Sequence, residues 1–267
     1  MGSDAELLAL FDSLREPVIR AAIRTLCLPP GSCGLDAGCG IGSHTPLLAE
    51  AVAPHGHITG LDHARTMLAR AGERAARSGL TSSVSFQEGD IRKLPFDDAR
   101  FDWAWSVDCA GYAPGDPVAV LKEIARVVKP GGTVAILAWS SQQLLPGHPE
   151  LEARLNATRQ GIAPYARGMP PERHFLRAPG WFRVARIHEP RARTFIGEVH
   201  APLSEELRAC MIALFEMRWG DPGSELSADD LSEFRRLCSP ASPDFLPDLA
   251  DYYAFFTYSM FWGRVTR

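Results

Sequence analysis

The chain contains the run Gly34-Leu35-Asp36-Ala37-Gly38-Cys39-Gly40-Ile41-Gly42-Ser43. Three of its glycines stand on alternate positions, and an acidic residue precedes the first of them by two positions. The run lies at a predicted turn from a strand into a helix that begins near His44. Glycine tolerates positive φ and has no β-carbon, so a ligand can approach the backbone of such a turn closely.

The spacing of these glycines distinguishes between classes of nucleoside-bearing cofactor. A dinucleotide fingerprint has glycines at its first, third and sixth positions, but the sixth position counted from Gly38 is Ser43. Counting from Gly40 fails as well, because Thr45 then takes the sixth position. Asp36 would repel a pyrophosphate, whereas it suits a ligand that carries positive charge. The run therefore disfavours a nicotinamide oxidoreductase.

The segment from Asp36 to Gly42 resembles the first motif of the class I S-adenosylmethionine-dependent methyltransferases, Asp/Glu-x-Gly-x-Gly-x-Gly, at every position. The sulfonium and α-ammonium groups of that cofactor are cationic, so an acid near its methionine end favours the intact cofactor. The resemblance implies S-adenosyl-L-methionine as the cofactor. It also implies cofactor contacts from the loop residues Asp36, Gly38, Cys39, Gly40 and Gly42.

A second acid, Asp62, follows Gly42 by twenty positions and ends the predicted strand 57–62. In a doubly wound sheet this carboxylate emerges beside the glycine loop, where it can accept hydrogen bonds from both hydroxyls of a ribose. The segment resembles the methyltransferase family here too, which implies that His63 and Met67 flank the adenine. The family more often has an aliphatic residue at the position of His63, so a solvent-facing histidine stays open.

Two later segments extend the resemblance. Gly89-Asp90-Ile91 resembles the family segment that recognises adenine, which implies that Asp90 accepts from the adenine amine and that the Ile91 N–H donates to the ring. Ser106, near the end of the predicted fourth strand 101–107, joins the expected cofactor residues. The resemblance covers residues 34–139 and favours the branch that methylates quinols, lipids and other small molecules, such as ubiquinone and menaquinone precursors.

The sequence contains no motif that identifies catalytic residues for the methyl acceptor. Methyl transfer is an in-line displacement, and alignment alone can accelerate it strongly. Asp108 and Tyr112 follow the fourth strand, where sheet geometry directs side chains into the crevice, so we predict that one of them orients the acceptor or takes its proton. Alternatively, Asp108 and Tyr112 are ordinary loop residues without a catalytic function. Residues 252–262 are dense in aromatic rings, which suit a core or a pocket for an apolar ring or an amine.

Composition narrows the classes of function. The chain has 267 residues, 46% of them hydrophobic and 22% charged, as expected for a globular protein. A net charge of −4 and scattered basic residues argue against nucleic acid as a substrate, so we expect a small-molecule acceptor.

The six cysteines include no Cys-x-x-Cys pair, which disfavours a metal site. Without an 18-residue apolar run or a signal-like start, we expect no membrane span and a cytoplasmic protein; the oligomeric state stays open.

The order of predicted elements gives the organisation of the chain. Strands alternate with helices through residue 139, the pattern of a doubly wound, Rossmann-like, mostly parallel sheet of seven strands with helices on both faces. We predict a single domain over 1–267. Its parts are an N-terminal helical lid (1–30), a cofactor-binding core (31–139), substrate-side loops with a strand (140–203), a helical cap (204–250) and the last strand (251–267).

Four local predictions accompany this division. Pro17 is expected to break or kink the helical pattern of residues 6–26, and residues 182–188 are expected to form a strand. Ser204 and Ser227 are predicted to cap the two helices of the cap. The cap is expected to hinge at Asp221-Pro222-Gly223 and at residues 239–243, and to close an acceptor pocket at the ends of strands four and five.

The sequence thus predicts the transfer of a methyl group from S-adenosylmethionine to a small molecule through an oxygen, nitrogen, carbon or sulfur nucleophile. Two alternatives stay open. A methyltransferase for RNA or protein would be favoured by a basic face across the cleft. A regulatory module that binds S-adenosylmethionine without catalysis would be distinguished by the absence of turnover.

Overall fold

A computed structural model describes residues 4–112, 115–165, 168–220 and 222–266. Its strands are β1 (Cys33–Ala37), β2 (His57–Asp62), β3 (Val84–Glu88), β4 (Phe101–Val107), β5 (Val128–Gln143), β6 (Ile187–His200) and β7 (Tyr253–Val265). They form one sheet in the order β3-β2-β1-β4-β5-β7-β6. β1 to β5 pair in parallel, whereas β7 lies antiparallel between β5 and β6. The predicted seven-stranded, mostly parallel sheet is confirmed.

Helices cover both faces of this sheet. In the described ranges they are α1 (Asp4–Leu10), α2 (Asp12–Leu26), α3 (Thr45–Ala51), α4 (Arg65–Arg77), α5 (Pro117–Val127), α6 (Pro149–Asn156), α7 (Ala178–Val184), α8 (Glu205–Trp219) and α9 (Ala228–Cys238). The expected N-terminal helices are thus present, and two helices precede the last strand. No helix in the described part of the chain combines the length and apolar character that a membrane crossing requires.

The sheet separates two apolar cores, because successive side chains of a strand point to opposite faces. Trp103 and Trp105 of β4 belong to the core that α2, α3, α8 and α9 cover. Ala104 of the same strand, with Leu35 of β1 and Ile136 of β5, belongs to the core beneath α5 and α7. The central parallel strands are therefore buried on both faces, as expected for a doubly wound sheet.

The carboxyl ends of β1, β2 and β4 meet at one edge of the sheet, since these strands are parallel neighbours. The glycine loop leaves β1 at this edge and enters α3 at Thr45. Asp62 is the last residue of β2, and Asp108 directly follows β4. Residues that lie far apart in the sequence thus come together where ligands bind in doubly wound sheets.

Pro17 does not break the first helical pattern, so the predicted break at this residue is wrong, whereas a kink there stays a prediction. The pattern is interrupted at Phe11, between α1 and α2, and Pro17 lies inside α2. A proline within a helix costs about 3 kcal/mol, but burial of each large apolar side chain contributes about 1.5–3 kcal/mol. α2 buries Leu14, Val18 and Ile19 on its sheet-facing side, and this burial outweighs the lost hydrogen bond.

The strand predicted over residues 182–188 is also incorrect in its first half. Phe182 lies in α7, whose first turn contains a proline, and β6 begins only at Ile187. Trp181 and Phe182 pack in the core beneath α5 and α7, a placement that the apolar pattern alone does not distinguish from a strand. β5 extends to Gln143 because β7 pairs with it from Thr133 to Gln143.

The two serine caps are confirmed. The Ser204 hydroxyl accepts from the Leu207 N–H at 3.2 Å at the start of α8, and the Ser227 hydroxyl accepts from the Asp230 N–H at 3.1 Å at the start of α9. Asp221, in one of the predicted hinges, lies outside the described residues.

Candidate functional site

Two adjoining cavities open at the carboxyl edge of the sheet. The glycine-loop cavity, of about 480 Å³, is bordered by residues 38–41, 61–63, 89–92 and 107–109. The cap cavity, of about 540 Å³, is bordered by residues of α1, α2, α8 and segments 139–142 and 161–165. Leu8, Arg15, Asp108 and Tyr112 border both cavities, and we call these four residues the shared wall. Both volumes lie in the range of about 300–1,000 Å³ that is usual for small-molecule sites.

The backbone of the glycine loop is fixed to the end of β2. The N–H groups of Gly38 and Cys39 both donate to the Leu61 carbonyl, at 2.8 and 2.9 Å. Gly38 has a φ of +80°, and a β-carbon at this position would overlap the Cys109 side chain. Only glycine therefore fits here, and the loop presents bare backbone to the cavity.

Asp62 ties the loop to the start of α4 and borders the glycine-loop cavity. Its Oδ2 accepts from the Gly40 N–H at 3.0 Å, and its Oδ1 accepts from the Ala64 N–H at 2.9 Å. A carboxylate offers about four acceptor positions, so two remain for ligand hydroxyls. His63 lies at the rim of the cavity with its side chain 86% exposed, which agrees with the solvent-facing alternative.

Asp36 lies beneath the loop and does not border the cavity. It is 2% exposed, and its Oδ2 accepts from the Thr45 hydroxyl at 3.3 Å. Burial raises the pKa of Asp36 to about 7; the Thr45 hydrogen bond opposes this rise, and the nearby charge of Asp62 adds to it. Any effect of Asp36 on a ligand is therefore exerted through the loop.

Three other residues predicted for the cofactor site border neither cavity. Gly42 packs against α4, where a β-carbon would lie 3.1 Å from that of Ala71. Met67 is half-buried on α4. The Ser106 hydroxyl is buried and engaged, because it donates to the Ala37 carbonyl at 2.7 Å and accepts from the Ala110 N–H at 3.1 Å. Gly42 and Ser106 thus support the loop and β4, and Met67 lies on α4 outside both cavities.

Asp90 and Ile91 border the glycine-loop cavity opposite the loop. Arg92 binds the Asp90 carboxylate through its guanidinium at 2.6–3.0 Å, and its backbone N–H donates to Oδ1 at 2.8 Å. These hydrogen bonds lower the pKa of Asp90 to about 2. The carboxylate is therefore charged, and a ligand amine would share it with Arg92.

His44 is a cavity residue that the motifs do not include. It directly precedes α3 and borders the glycine-loop cavity. Its Nε2 is buried and has no hydrogen-bond partner among the described residues. Burial, together with the smaller effects of the charges of Arg15 and Arg74, lowers the pKa of His44 to about 3. The neutral ring thus offers an unused nitrogen, and its position directly after the loop is the sequence signal that marks it.

Asp108 is the only carboxylate of the shared wall. Its Oδ1 accepts from the Trp139 N–H at 3.0 Å, its Oδ2 accepts from the Tyr258 hydroxyl at 2.7 Å, and Arg15 Nη1 lies 3.8 Å from Oδ2. Burial raises the pKa of Asp108, whereas Arg15 and both hydrogen bonds oppose this rise. Asp108 has a left-handed φ of +48°, which is uncommon outside glycine and recurs at functional sites.

The two longer polar side chains of the shared wall are engaged with the backbone. Arg15 Nε donates to the Phe11 carbonyl at 3.3 Å and Nη2 donates to the Leu8 carbonyl at 3.2 Å, which fixes the turn between α1 and α2. The Tyr112 hydroxyl donates to the Trp139 carbonyl at 3.1 Å. Burial raises the pKa of Tyr112 well above its ordinary value, so this phenol stays protonated.

The cap cavity has flat aromatic walls. Trp139 stacks on Phe256 with ring centroids 4.5 Å apart, and Tyr165 stacks on His174 at the same separation. The cavity lies at the ends of β4 and β5 beside α8, with α1 and α2 over it, where the sequence places an acceptor pocket. In the described ranges, no three His, Cys, Asp or Glu side chains cluster in a way that would hold a metal ion.

A methyltransferase domain family matches residues 35–132. The demethylmenaquinone methyltransferase of Bacillus cytotoxicus is 38% identical over 126 residues, which are 47% of this chain and 52% of that protein. The tocopherol O-methyltransferase of Arabidopsis thaliana is 33% identical over 118 residues, which are 44% of this chain and 33% of that protein. The chain therefore spans about half, or less, of the length of these curated relatives.

The fold has solved counterparts. A S-adenosylmethionine-dependent methyltransferase from Aquifex aeolicus matches with a TM-score of 0.52 and 21% identity, over 73% of this chain and 92% of that one. The Bacillus subtilis protein YcgJ matches with a TM-score of 0.56 and 17% identity, over 93% of this chain and 98% of that one. At such low identity the likeness concerns the fold.

Proposed function

We propose that this chain is a class I S-adenosylmethionine-dependent methyltransferase that transfers a methyl group to a small molecule held in the cap cavity; the match of residues 35–132 to a methyltransferase domain family supports this. The shared wall is the observation that carries this proposal, because two cavities of ligand size meet there. An in-line displacement requires the donor and the acceptor on opposite sides of one short gap. Adjoining cavities with a common wall meet that requirement.

The lining of the glycine-loop cavity fits S-adenosylmethionine. When bound, this cofactor supplies a methyl group that its sulfonium charge activates. Asp62 would hold the ribose hydroxyls with its remaining acceptor positions, while Asp90 and the Ile91 N–H would face the adenine. His44 also borders this cavity, but its Nε2 is buried and has no partner among the described residues. Asp36 would favour the cationic cofactor from beneath the loop.

An apolar compound with a flat ring is the acceptor class that the cap cavity supports. Trp139 and Tyr165 present stacked aromatic surfaces to the cavity. Such surfaces favour planar apolar ligands. The relatives named for demethylmenaquinone and for tocopherol are consistent with this class.

Asp108 is the residue that we assign to orient the nucleophile of the acceptor. Its oxygens are held by the Trp139 N–H and the Tyr258 hydroxyl, so the carboxylate is oriented before an acceptor arrives. It accepts a hydrogen bond from the nucleophile and so directs a lone pair toward the glycine-loop cavity. Tyr112 positions the wall through its bond to the Trp139 carbonyl.

Transfer of radiolabelled methyl from S-adenosylmethionine to a metabolite extract tests this proposal. We expect label in a compound of low mass, which mass spectrometry then identifies. Label in acid-precipitated RNA or protein would contradict the small-molecule acceptor. Binding of S-adenosylhomocysteine without any label transfer would instead favour the regulatory module.

The choice of cofactor has a separate test. S-adenosylhomocysteine is expected to raise the melting temperature by mass action, and NAD is not. A shift with NAD alone would contradict the assignment of the glycine-loop cavity. The cytoplasmic location expected from the sequence stays a prediction.

A further inference from the structure

Arg218, near the end of α8, borders the cap cavity with unused hydrogen-bonding capacity. Its Nη2 donates to the Gly161 carbonyl at 3.3 Å. Its Nε is buried and has no hydrogen-bond partner among the described residues, and Arg218 forms no ion pair with any described carboxylate. An arginine carries five N–H donors and a permanent charge, so this side chain lacks most of its usual partners.

Leaving a charged donor without a partner away from water is costly, so native proteins rarely retain such a group unless a water, an ion or a functional role accounts for it. Burial lowers the pKa of Arg218, while the nearby Tyr112 and Asp108 oppose this effect. Glu152 also lies near enough to raise the pKa, but its carboxylate is engaged by the N–H groups of Leu144 and Leu145.

The charges that border the cap cavity do not balance. Asp108 is its one carboxylate among the described residues, and two arginines, Arg15 and Arg218, border it as well. Arg15 lies 3.8 Å from Asp108 and 3.7 Å from Asp12, and two of its nitrogens donate to backbone carbonyls. Arg15 is thus compensated locally. Arg218, in contrast, has no carboxylate within 4.0 Å among the described residues, so its guanidinium can pair with a ligand.

We infer that the acceptor is a ring compound that carries a carboxylate, and that Arg218 binds this carboxylate; the inference rests on the proposed function of the cap cavity. A guanidinium presents a planar fork of donors that matches the two oxygens of a carboxylate. A neutral ring would leave the charge of Arg218 uncompensated at the cavity, and an amine would be repelled. The acceptor would then be held at two points, its carboxylate at Arg218 and its nucleophile at Asp108.

Calorimetry with 2-naphthoate and 2-naphthamide, in saturating S-adenosylhomocysteine, tests this inference. The two probes share a flat apolar ring and differ in charge. We expect the acid to bind roughly ten- to a hundredfold more tightly, the usual strength of a hydrogen-bonded charge pair. Arg218→Met should bring the two affinities within about threefold, and Arg218→Lys should restore part of the preference because it retains the charge.

Arg208→Met is the matched control. Arg208 is another arginine of α8, but it is paired with Asp248 outside both cavities, so this variant should keep the preference for the acid. Equal binding of both probes to the unmodified protein, no binding of the acid at millimolar concentration, or a preference that survives in Arg218→Met would each overturn the inference.

Two control measurements show whether a loss of binding comes from misfolding of the variant. Circular dichroism and the affinity for S-adenosylhomocysteine report whether Arg218→Met is folded; if it is not, Arg218→Gln and Arg218→Lys decide in its place. Failure of the unmodified protein to bind S-adenosylhomocysteine would contradict the proposed function. The comparison of acid and amide would still report on Arg218 in that case, because the probes occupy the other cavity.

Discussion

The aspartates at the carboxyl edge of the sheet differ in protonation because their surroundings differ. Asp90 lies exposed beside Arg92, whose hydrogen bonds lower its pKa to about 2. Asp36 is buried a few residues before the loop, and burial raises its pKa to about 7. Asp108 is buried too, but Arg15 and two hydrogen bonds oppose the rise. One edge thus offers carboxylates suited to different tasks.

Asp62→Ala is expected to weaken the binding of S-adenosylhomocysteine by roughly 1.5–3 kcal/mol, a ten- to hundredfold change in the dissociation constant. Two ribose hydroxyls lose a charged acceptor, and the Gly40 and Ala64 N–H groups lose theirs. Asp62→Asn keeps one acceptor oxygen and should lose less. Exposed Asp97 provides a control variant, Asp97→Ala. An unchanged dissociation constant in folded Asp62→Ala would exclude the ribose role.

Asp108→Asn is expected to reduce turnover of the identified acceptor by about a hundredfold or more, the usual contribution of a positioned proton acceptor. Cofactor affinity should change little, because we place Asp108 on the acceptor and not on the cofactor. Tyr112→Phe should also reduce turnover, since it removes the bond to the Trp139 carbonyl. If turnover is insensitive to both substitutions, the acceptor is oriented by residues of the cap instead.

Among the elements, α1 and α2 depend on Arg15. This side chain is 11% exposed and joins the turn between the two helices to Asp108. Arg15→Met should lower the free energy of unfolding by about 3 kcal/mol, because it leaves Asp108 without its cation. Hydrogen exchange in α1 should accelerate.

Urea denaturation and exchange monitored by mass spectrometry check this prediction. Arg20→Met is the control, because Arg20 lies on the exposed side of α2 and pairs with Glu16 and Glu50. It should leave stability nearly unchanged. Equal effects of the two substitutions would show that Arg15 has no special role in holding the helices.

Elements whose formation depends on local chemistry are predictable from this sequence. β2 and β4 have the predicted bounds, and the Ser204 and Ser227 caps form as expected. The break predicted at Pro17 and the first half of the strand predicted over residues 182–188 are wrong, because packing against the sheet decides the structure there and local pattern does not. Such contacts involve residues distant in the sequence, which a local window omits.

Some residues of the candidate site are likewise predictable from local sequence, and others are not. Its glycine loop, Asp62 and Asp90 follow from motif spacing along one half of the chain, and the structure places all of them at one cavity. The bond from Tyr258 to Asp108 joins residues 150 positions apart, and Arg218 reaches the cap cavity from a third segment. No spacing rule connects these residues, so only the folded chain brings them together.

For the whole molecule, Asp36 predicts how stability varies with pH. Its pKa is about 7 in the folded protein and near 3.8 in the unfolded chain, so the folded state binds more protons between these values. The stabilisation by protonated Asp36 is therefore fully present below about pH 4 and is lost as the pH rises through about 7. Asp36→Asn should remove this loss, a gain on the order of 4 kcal/mol relative to the unmodified protein.

Urea denaturation at pH values from about 4 to 8 measures that difference. His44 has the opposite effect, because its folded pKa of about 3 lies below the ordinary 6.5 and its stabilisation is lost as the pH falls. This contribution is common to both proteins and cancels. Asp97→Asn, at an exposed position, should run parallel to the unmodified protein. A parallel curve for Asp36→Asn would contradict the prediction.

The shared wall has a consequence for inhibition. Leu8, Arg15, Asp108 and Tyr112 border both cavities, so the two cavities lie side by side. A single compound that joins adenosine to an aryl acid through a short linker can therefore occupy both. Once one half is bound, the other is present at an effective concentration in the millimolar range, so two weak fragments combine into a tight ligand. Either fragment alone would compete with only one of the two substrates.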